Sequence, residues 1–483
     1  MKGKNSLSIE EKRKRRAFGT HMTSTDIFLK FIYPEIKDKF DDYIWVDLYA
    51  GEGNLILPIL SKIKFEEREE FFQNHIYLFD IQEKMVKRCV HNAKSYGVSD
   101  LIAKKNIITR DNLESFPEFL NSLSKPIYHI TNPPYLYLGY ISKHESTKKL
   151  LKYFKDENSG YQDLYQIAMM NDLRNQIANL IYIIPTNFLY GASVSNKFRI
   201  DFLRHYNISK MIIFETKMFE FTGTNICINF LEKKRKIKQE RIDFIGTKIY
   251  PNGDIFEKKY DLDPRFKYRA GSEFQSFLKK FKLKKSLDVN YYLMAEEVNG
   301  NQGEYKVVLL DANKYNKSKY KKVVLSVNLK TYKKIISNIL YIRTVDTGSI
   351  DGRVGLNIIE EDFNVNGIYV SGNTYRTHPI QLFLKPTISI EKQKLLKKYF
   401  NFILEKFREK LDSEFLTTYK YSNSVYTRKY LGLTQVRNII KTFPFNLNKK
   451  TDNKMESFIE NNEFNNLINF LTEIHSIKLN TGK

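Results

Sequence analysis

The sequence predicts an α/β fold, in which a seven-stranded, mostly parallel, doubly wound sheet is followed by a C-terminal α+β domain. From Ile44 to about Phe230, short β-branched and aromatic runs alternate with longer segments of helical period. Strands separated by helices form parallel sheets that are covered on both faces. The 483 residues and their 42% hydrophobic content are also enough for two or three domains with proper cores.

Seven segments have strand composition, and two longer segments have helical period. The expected strands are Ile44–Tyr49, Ile76–Asp80, Asn106–Thr109, Ile127–Thr131, Leu180–Ile184, Lys210–Phe214 and Thr224–Phe230. The connection from Phe214 to Thr224 is too short for a crossover helix, so we expect the seventh strand to run antiparallel. One helical face carries Met85, Val86, Cys89, Val90 and Ala93, and a second carries Leu395, Leu396, Phe400, Ile403, Leu404, Phe407 and Leu411.

A run of charged residues over 232–241 follows the seventh strand and suggests a domain boundary. We therefore expect a first domain over residues 1–240 and a second over 241–483. Lysine clusters with interleaved Tyr and Phe then become frequent, and a Gly-rich stretch spans 347–355.

The chain has a large excess of positive charge, since 79 Lys and Arg against 55 Asp and Glu leave a net charge of +24. AT-rich coding enriches lysine and explains part of this excess, but such coding also supplies acidic residues. The surplus therefore favours a polyanionic partner, with nucleic acid ahead of a membrane surface. The two cysteines, Cys89 and Cys227, cannot build a disulfide framework or a zinc cluster. The N-terminus is polar, and no apolar run approaches a membrane span, so we expect a soluble, cytoplasmic protein.

Three polar segments follow successive expected strands, at the edge where open α/β sheets hold ligands. In the segment 47–54, Gly51 and Gly53 permit positive φ and allow a ligand to approach the backbone closely. Asp80 ends the second strand, where an acidic residue can bind a ribose diol. Asp111 and Asn112 follow the third strand and could bind an adenine ring. Each carboxylate alone is also typical of a helix cap, but their joint spacing favours a nucleotide-like ligand.

The most specific motif is Asn132-Pro133-Pro134-Tyr135, directly after the fourth expected strand. Two prolines fix φ and remove two backbone donors, which leaves a stiff turn that presents oxygen acceptors. The Asn132 side chain and the Pro133 carbonyl could accept both hydrogens of an exocyclic amine. Such bonds favour the pyramidal amine and stabilise its transition state as a nucleophile. Tyr135 could then stack on a planar substrate.

These segments together resemble the S-adenosylmethionine-dependent amino-methyltransferases of DNA, whose fold is a Rossmann-like class I methyltransferase sheet. The resemblance covers roughly residues 15–235 and departs from the family at Glu52 and Tyr49. It implies S-adenosyl-L-methionine as cofactor and no metal. The cofactor-binding residues that it implies are Thr20, His21, Met22, Thr23, Asp47, Tyr49, Ala50, Gly51, Gly53, Asp80, Ile81, Asp111, Asn112 and Asn132.

The resemblance also implies the order of motifs and domains that is found in the γ-type adenine-N6 methyltransferases of restriction-modification systems. In these enzymes the C-terminal domain recognises a short DNA motif. The target base would be flipped out and held between Tyr135 and Phe219, with Phe221 as the competing second ring. Beside these aromatics, the expected catalytic residues are Asn132, Pro133 and Pro134. Candidates for DNA contact in the second domain are Lys279, Lys280, Lys319, Lys321, Arg353, Asn373 and Arg376.

Other readings of the catalytic motif stay open. RNA adenine-N6 transfer and DNA cytosine-N4 transfer use the same chemistry, although serine is more typical at the first motif position for cytosine. Release-factor glutamine methyltransferases share the motif but place their extra domain before the cofactor loop. A DNA-binding specificity subunit without activity is the non-enzymatic alternative. The expected partner is double-stranded DNA, with a cognate restriction endonuclease left open and no membrane, and we expect a monomer or a weak dimer.

Overall fold

The computed structural model describes residues 23–191, 194–216, 218–219, 225–250, 252–317, 319–346, 353–411, 416–418 and 429–480. The described residues up to Ala270 form one compact unit, and those from Gly271 onward form another. Among the described residues, no helix combines the length and the apolar character that a membrane span needs.

The first unit is built on a nine-stranded sheet in the order β3-β2-β1-β4-β5-β7-β6-β8-β9. Its strands are β1 (Ile44–Asp47), β2 (Ile76–Asp80), β3 (Ile107–Thr109), β4 (Ile127–Thr131), β5 (Asn179–Pro185), β6 (Tyr206–Phe214), β7 (Ile226–Lys233), β8 (Ile242–Ile249) and β9 (Ile255–Leu262). Strands β1 to β5 pair in parallel, and β7 runs antiparallel to both β5 and β6. The seven expected strands therefore all exist, and the antiparallel direction of the seventh is confirmed.

The predicted count of seven strands is nevertheless wrong, because β8 and β9 extend the same sheet. Strand β8 pairs in parallel with β6, and β9 pairs antiparallel with β8. The charged run 232–241 is therefore mainly the connection between β7 and β8 and does not separate two domains. In β8 the buried residues alternate with more exposed ones, as expected for a strand with one face on a core.

Helices cover both faces of this sheet. The α-helical segments are α1 (Thr25–Ile27), α2 (Tyr33–Ile36), α3 (Arg68–His75), α4 (Glu83–Ser95), α5 (Asp100–Asn106), α6 (Leu138–Ile141), α7 (Leu164–Arg174), α8 (Asn187–Tyr190) and α9 (Asn196–Leu203), with a π-helical turn at Phe28–Ile32. Short 3-10 helices span Phe40–Asp42, Leu57–Lys62, Phe65–Glu67, Glu118–Ser122, Glu145–Phe154, Asp156–Asn158 and Pro264–Phe266. All five apolar residues of the face predicted for α4 are buried, so that helix is confirmed.

Alternate residues of the central strands enter two separate cores, as the pleat requires. On β1, Trp45 packs into one core cluster and Val46 into the other. Trp45 is fully buried, and its ring stacks on Tyr128 of β4 with the ring centroids 5.2 Å apart. Asn106 was expected to begin β3 but ends α5 instead, where its side chain donates hydrogen bonds to three backbone carbonyls.

The second unit mixes helices with small sheets. Its strands are β10 (Asp288–Tyr291), β11 (Tyr305–Asn316), β12 (Lys319–Val327), β13 (Leu340–Arg343), β14 (Gly355–Ile358), β15 (Gly367–Tyr369), β16 (Ile380–Lys385), β17 (Thr417–Thr418) and β18 (Lys429–Tyr430). Its helices are α10 (Ser272–Phe281), α11 (Ala295–Asn299), α12 (Leu329–Ile336), α13 (Ile359–Phe363), α14 (Ile390–Leu411), α15 (Leu433–Ile440), α16 (Lys449–Glu460) and α17 (Phe464–Asn480). The long helix predicted over 391–411 is α14, and its predicted apolar stripe is buried in the core of this unit.

The first unit ends after Ala270 rather than after residue 240, and buried hydrogen bonds explain why. Arg199 of α9 is fully buried, and its guanidinium donates to the carbonyls of Phe188, Gly191 and Lys267 at 2.6–2.9 Å. Burial lowers the pKa of Arg199 to about 9, which leaves the group charged at neutral pH. These bonds tie the segment after β9 to the helices of the first unit.

We expect Arg199→Leu to lower the free energy of unfolding of the first unit by about 3 kcal/mol or more, because it leaves three buried carbonyls without this donor. The measurement is urea unfolding followed by hydrogen–deuterium exchange in peptides of the first unit. Lys197→Met is the matched control on the same helix, since Lys197 forms a half-exposed ion pair with Asp201 that contributes about 1 kcal/mol or less. Equal losses for the two variants would contradict the role of Arg199.

Candidate active site

A cavity of about 560 Å³ lies at the carboxyl ends of the parallel strands of the first unit. It adjoins the point between β1 and β4 where the strand order reverses, which is the usual ligand position in open α/β sheets. The structure brings ten of the residues expected from the sequence into its wall: Thr23, Asp47, Tyr49, Ala50, Gly51, Asp80, Ile81, Asp111, Asn132 and Pro134.

The cofactor loop expected from the sequence follows β1 and uses its two glycines differently. Gly51 lines the cavity with φ of +57°, and a Cβ atom there would meet no heavy atom within 4 Å. Gly53 does not line the cavity; a Cβ atom there would lie 2.6 Å from the Leu57 side chain and 2.8 Å from Cys89 Sγ of α4. Gly51 thus leaves space for a ligand, whereas Gly53 allows the loop to pack against α4.

Glu52, where the sequence departs from the family pattern, is held by α4. Arg88 Nη1 lies 2.7 Å from Glu52 Oε1, and the Asn92 side chain donates to the Glu52 carbonyl at 2.9 Å. The larger side chain is therefore accommodated by an ion pair with a helix on the flank of the loop.

Two carboxylates of the cavity wall hold the loop in place. Asp80 Oδ2 accepts a hydrogen bond from Gly51 N at 3.0 Å, and Oδ1 accepts one from Gln82 N at 2.8 Å. Burial raises the pKa of Asp80. Asp47 Oδ1 accepts from Tyr49 N at 2.9 Å and from Thr131 Oγ1 at 2.6 Å. Burial raises the pKa of Asp47 to about 6.

The proline-containing turn after β4 reaches the cavity through two of its four residues. Asn132 and Pro134 line the wall, and Asn132 Nδ2 donates to Thr23 Oγ1 at 2.8 Å. This bond holds the Asn132 side chain against Thr23. Pro133 is buried beneath the turn.

The two aromatic rings expected to sandwich a base do not form a sandwich in this structure. The ring of Tyr135 is only 7% exposed and packs in one core cluster, and Phe219 is 5% exposed and packs in the cluster on the other side of the sheet. Burial removes the apolar rings from water, which makes these positions favourable. Thr20, His21, Met22 and Phe221 lie outside the described residues.

Asp111 and Asn112, in the loop after β3, were both expected to contact the ligand, but their side chains lie in different places. Asp111 lines the cavity, and its Oδ1 accepts from Leu113 N at 3.2 Å and Glu114 N at 3.3 Å. Asn112 is 2% exposed, and its side chain donates to the Leu48 carbonyl at 2.8 Å. Asn112 therefore supports the loop from beneath and does not face the cavity, which corrects its expected contact with a ligand.

Sequence reasoning missed one wall of the cavity, which consists of Lys149, Leu150, Lys152, Tyr153 and Leu164. Most of these residues belong to the 3-10 helix Glu145–Phe154, whose period of three obscures the pattern of an amphipathic helix. The segment begins soon after the turn at 132–135 but carries no motif of its own.

A second set of missed residues lies behind the cavity. His129 of β4 accepts a hydrogen bond from Leu48 N through Nε2 at 3.2 Å, and its Nδ1 lies 2.6 Å from Asp172 Oδ2. Tyr182 of β5 donates to the same carboxylate oxygen at 2.5 Å. Because Nε2 is the acceptor, Nδ1 carries the hydrogen. The network connects the loop after β1 to β4, β5 and α7.

The candidate DNA-contact residues lie on separate elements of the second unit, and all are exposed. Lys279 and Lys280 lie in the last turn of α10, and Lys319 and Lys321 lie on β12. Arg353 forms an ion pair with Glu405 of α14. Asn373 precedes β16 in a loop, and its carbonyl accepts from Asn313 at 2.8 Å.

Arg376 lies in the same loop, with its guanidinium 4.8 Å from the centroid of the Tyr430 ring. Across the described residues, no three or more His, Cys, Asp or Glu side chains are grouped so that they could hold a metal ion. Both cysteines are buried and unoxidised.

One solved structure with a TM-score above 0.5 supports the fold, and others match with lower scores. The Type IIL restriction-modification enzyme MmeI, solved in complex with DNA, matches with a TM-score of 0.52 at 11% identity, over 94% of this chain and 71% of that one. The Type ISP enzyme LlaBIII bound to DNA has a TM-score of 0.41 at 13% identity, over 76% of this chain and 33% of that one. The DrdV–DNA complex has a TM-score of 0.38 at 10% identity, over 62% of this chain and 36% of that one. This chain thus spans about a third of the length of the latter two.

A comparison with curated protein sequences found no match. A family model, by contrast, matches residues 74–219 and describes the Eco57I restriction-modification methylase. The matched residues include Asp80, Asp111 and the turn at 132–135, which follow three strands around the cavity. Residues 74–219 of this chain are therefore similar to the Eco57I restriction-modification methylase family.

Proposed function

We propose that this chain is a site-specific DNA methyltransferase that transfers a methyl group from S-adenosyl-L-methionine to N6 of a flipped-out adenine in a short motif of double-stranded DNA. The observation that carries this proposal is the shared cavity, which Asn132 and Pro134 line together with Gly51 and Asp80. A cognate restriction endonuclease is the partner expected in a restriction-modification system.

The residues of the cavity suit S-adenosyl-L-methionine. Its volume of about 560 Å³ lies within the roughly 300–1,000 Å³ of small-molecule pockets. Asp80 would accept hydrogen bonds from the ribose hydroxyls while Gly51 N holds its orientation. Asp47, Asp80 and Asp111 make the wall rich in carboxylates, which favours a ligand that carries a sulfonium cation.

The turn after β4 would activate the target amine. When bound, the cofactor supplies an electrophilic methyl group. The Asn132 oxygen and the Pro133 carbonyl would accept hydrogen bonds from the amine hydrogens, which favours the pyramidal nitrogen. With its lone pair localised in this way, the amine nitrogen would accept the methyl group, which would leave S-adenosylhomocysteine, and the proton that the amine loses would pass to water. Thr23 would keep the Asn132 amide oriented during this step.

The second unit would contact the DNA. Lys279, Lys280, Lys319 and Lys321 are exposed, as residues that bind phosphates must be. Arg376 and Asn373 lie together in one exposed loop, which suits contacts with base edges in a groove.

The decisive experiment is methylation mapping by single-molecule sequencing in a host without endogenous methylation. We expect N6-methyladenine in one short motif with wild type, and a loss of about 100-fold or more with Asn132→Ala. Asn207→Ala is the matched control, because Asn207 is exposed on β6 of the same unit. Methylation of cytosine, of RNA alone, or of nothing at all would contradict the proposal.

We expect Asp80→Ala to weaken binding of S-adenosylhomocysteine by about 10-fold or more, because it removes a charged acceptor and the partner of Gly51 N. DNA affinity should change little. Calorimetry measures the first and fluorescence anisotropy the second. Asp100→Ala is the control, since Asp100 is a half-exposed carboxylate that pairs with Lys104 outside the cavity. Unchanged cofactor affinity in Asp80→Ala would refute the assigned role.

We expect the ionisation of Asp47 to make the free energy of unfolding depend on pH. Its folded pKa is about 6 and its ordinary value is 3.8, so the folded chain holds this proton more tightly. As the pH rises from about 4 to about 6, wild type should lose up to about 3 kcal/mol of unfolding free energy relative to Asp47→Asn, which cannot ionise. Urea unfolding at each pH measures the difference. Parallel curves for the two proteins would contradict the raised pKa.

A further inference from the structure

His129 is a buried side chain that holds the start of the cofactor loop. It lies on β4, three residues before Asn132, and the last residue pair in the ladder between β1 and β4 joins it to Val46. Beyond this pair, the backbone amide of Leu48 donates a hydrogen bond to His129 Nε2 at 3.2 Å. The imidazole therefore takes the place of a backbone acceptor at the point where the chain leaves β1 for the loop.

The carbonyl group of Leu48 is held by a side chain as well. Asn112 Nδ2 donates to this carbonyl at 2.8 Å, so side chains satisfy both polar backbone groups of Leu48. Leu48 is buried, and its backbone cannot turn to water instead. Further along the loop, Gly51 N is held separately by Asp80. Loss of the bond to His129 would therefore free the base of the loop and leave the contact between Gly51 and Asp80 in place.

One helix, α7, supports both of these side chains. Asp172 Oδ2 lies 2.6 Å from His129 Nδ1, and the neighbouring Asn171 donates to the Asn112 carbonyl at 3.1 Å. Tyr182 Oη lies 3.5 Å from Nδ1 but donates to Asp172 Oδ2 at 2.5 Å, so it orients the carboxylate. Asp172 accepts the Nδ1 hydrogen, and this fixes the tautomer that leaves a lone pair on Nε2.

We propose that His129 is a positioning residue for methyl transfer, which sets the place of the cofactor loop relative to the turn at 132–135. This inference rests on the proposed function. His129 and Thr131 lie on the same face of β4. They hold two adjacent residues at the end of β1, Leu48 and Asp47. Since the turn follows directly on β4, one strand fixes the groups that would bind both reactants. A misplacement of about 1 Å can slow a reaction between aligned groups about 100-fold.

Two replacements separate the two bonds of the imidazole. In His129→Gln the side-chain oxygen can take the place of Nε2 and accept from Leu48 N, but the bond to Asp172 is lost. In His129→Asn the amide nitrogen can take the place of Nδ1 and donate to Asp172, but Leu48 N loses its acceptor. A purely structural role predicts more damage in the Gln variant, since a buried carboxylate oxygen loses one of its two donors. The positioning role predicts slower methyl transfer in the Asn variant.

The test measures methyl transfer and cofactor binding of the full chain separately. The rate of transfer is measured in a single turnover with saturating S-adenosyl-L-methionine and duplex DNA, and the affinity for S-adenosylhomocysteine by calorimetry. We expect His129→Asn to slow the transfer about tenfold or more and to change the affinity by less than about threefold, because Gly51 stays paired with Asp80. His129→Gln should keep a rate within about threefold of wild type.

The control for a lost buried hydrogen bond is Tyr206→Phe. Tyr206 Oη donates to the Ile177 carbonyl at 2.6 Å, and the side chain is fully buried. It does not line the cavity, so this variant should lose stability and keep the wild-type rate of methyl transfer.

Hydrogen–deuterium exchange at the amide of Leu48, resolved by fragmentation of its peptide, gives a readout that does not require activity. We expect this amide to exchange about tenfold faster in His129→Asn than in wild type, and His129→Gln to restore slow exchange. Unchanged exchange or unchanged transfer in His129→Asn would overturn the inference, as would slower transfer in His129→Gln than in His129→Asn. If wild type transfers no methyl group to DNA although the exchange responds as expected, the proposed function is wrong, and the positioning role falls with it.

Discussion

A hydrogen bond of 2.6 Å between Thr131 Oγ1 and Asp47 Oδ1 joins the two halves of the candidate active site. Asp47 ends β1, Thr131 ends β4, and the two strands are parallel neighbours at the reversal of strand order. Beneath them, His129 accepts from Leu48 N and contacts a buried carboxylate. The loop that would hold the cofactor and the turn that would hold the target amine are thus fixed to each other through the sheet. Methyl transfer depends on the alignment of donor and acceptor, so this rigidity is the constraint on which the rest of the site depends.

Much of the first unit could be predicted because local patterns determine it. Most of the strands from β1 to β7 are buried apolar runs bounded by turn residues, and the face of α4 repeats with helical period. The residues at the carboxyl ends of β1, β2 and β4 could be placed because parallel strands end at the same edge. The packing of individual side chains could not be predicted in this way. Asn112 and Tyr135 turn toward the core, since hydrogen bonding to Leu48 and burial of an aromatic ring are tertiary effects that a motif does not encode.

The position of the domain boundary also could not be predicted from local sequence patterns. The charged run 232–241 has the composition of a linker, yet it connects β7 and β8, two strands of one sheet that lie on either side of β6. The true extent of the unit depends on long-range contacts, such as those of Arg199 with Lys267, which join residues far apart in the chain. The wall around Tyr153 was missed for the same reason, because the hydrogen bond from Tyr153 to Asp111 exists only in three dimensions.

The sole tryptophan of the chain, Trp45, is buried on β1 in the first unit and stacked on Tyr128. Its emission spectrum therefore reports on the environment of this strand alone, while the many tyrosines of both units contribute at shorter wavelength. A chain with two compact units need not unfold in one step. Indole fluorescence and far-ultraviolet circular dichroism, recorded on the same sample, would separate the melting of the central sheet from that of the second unit without any label.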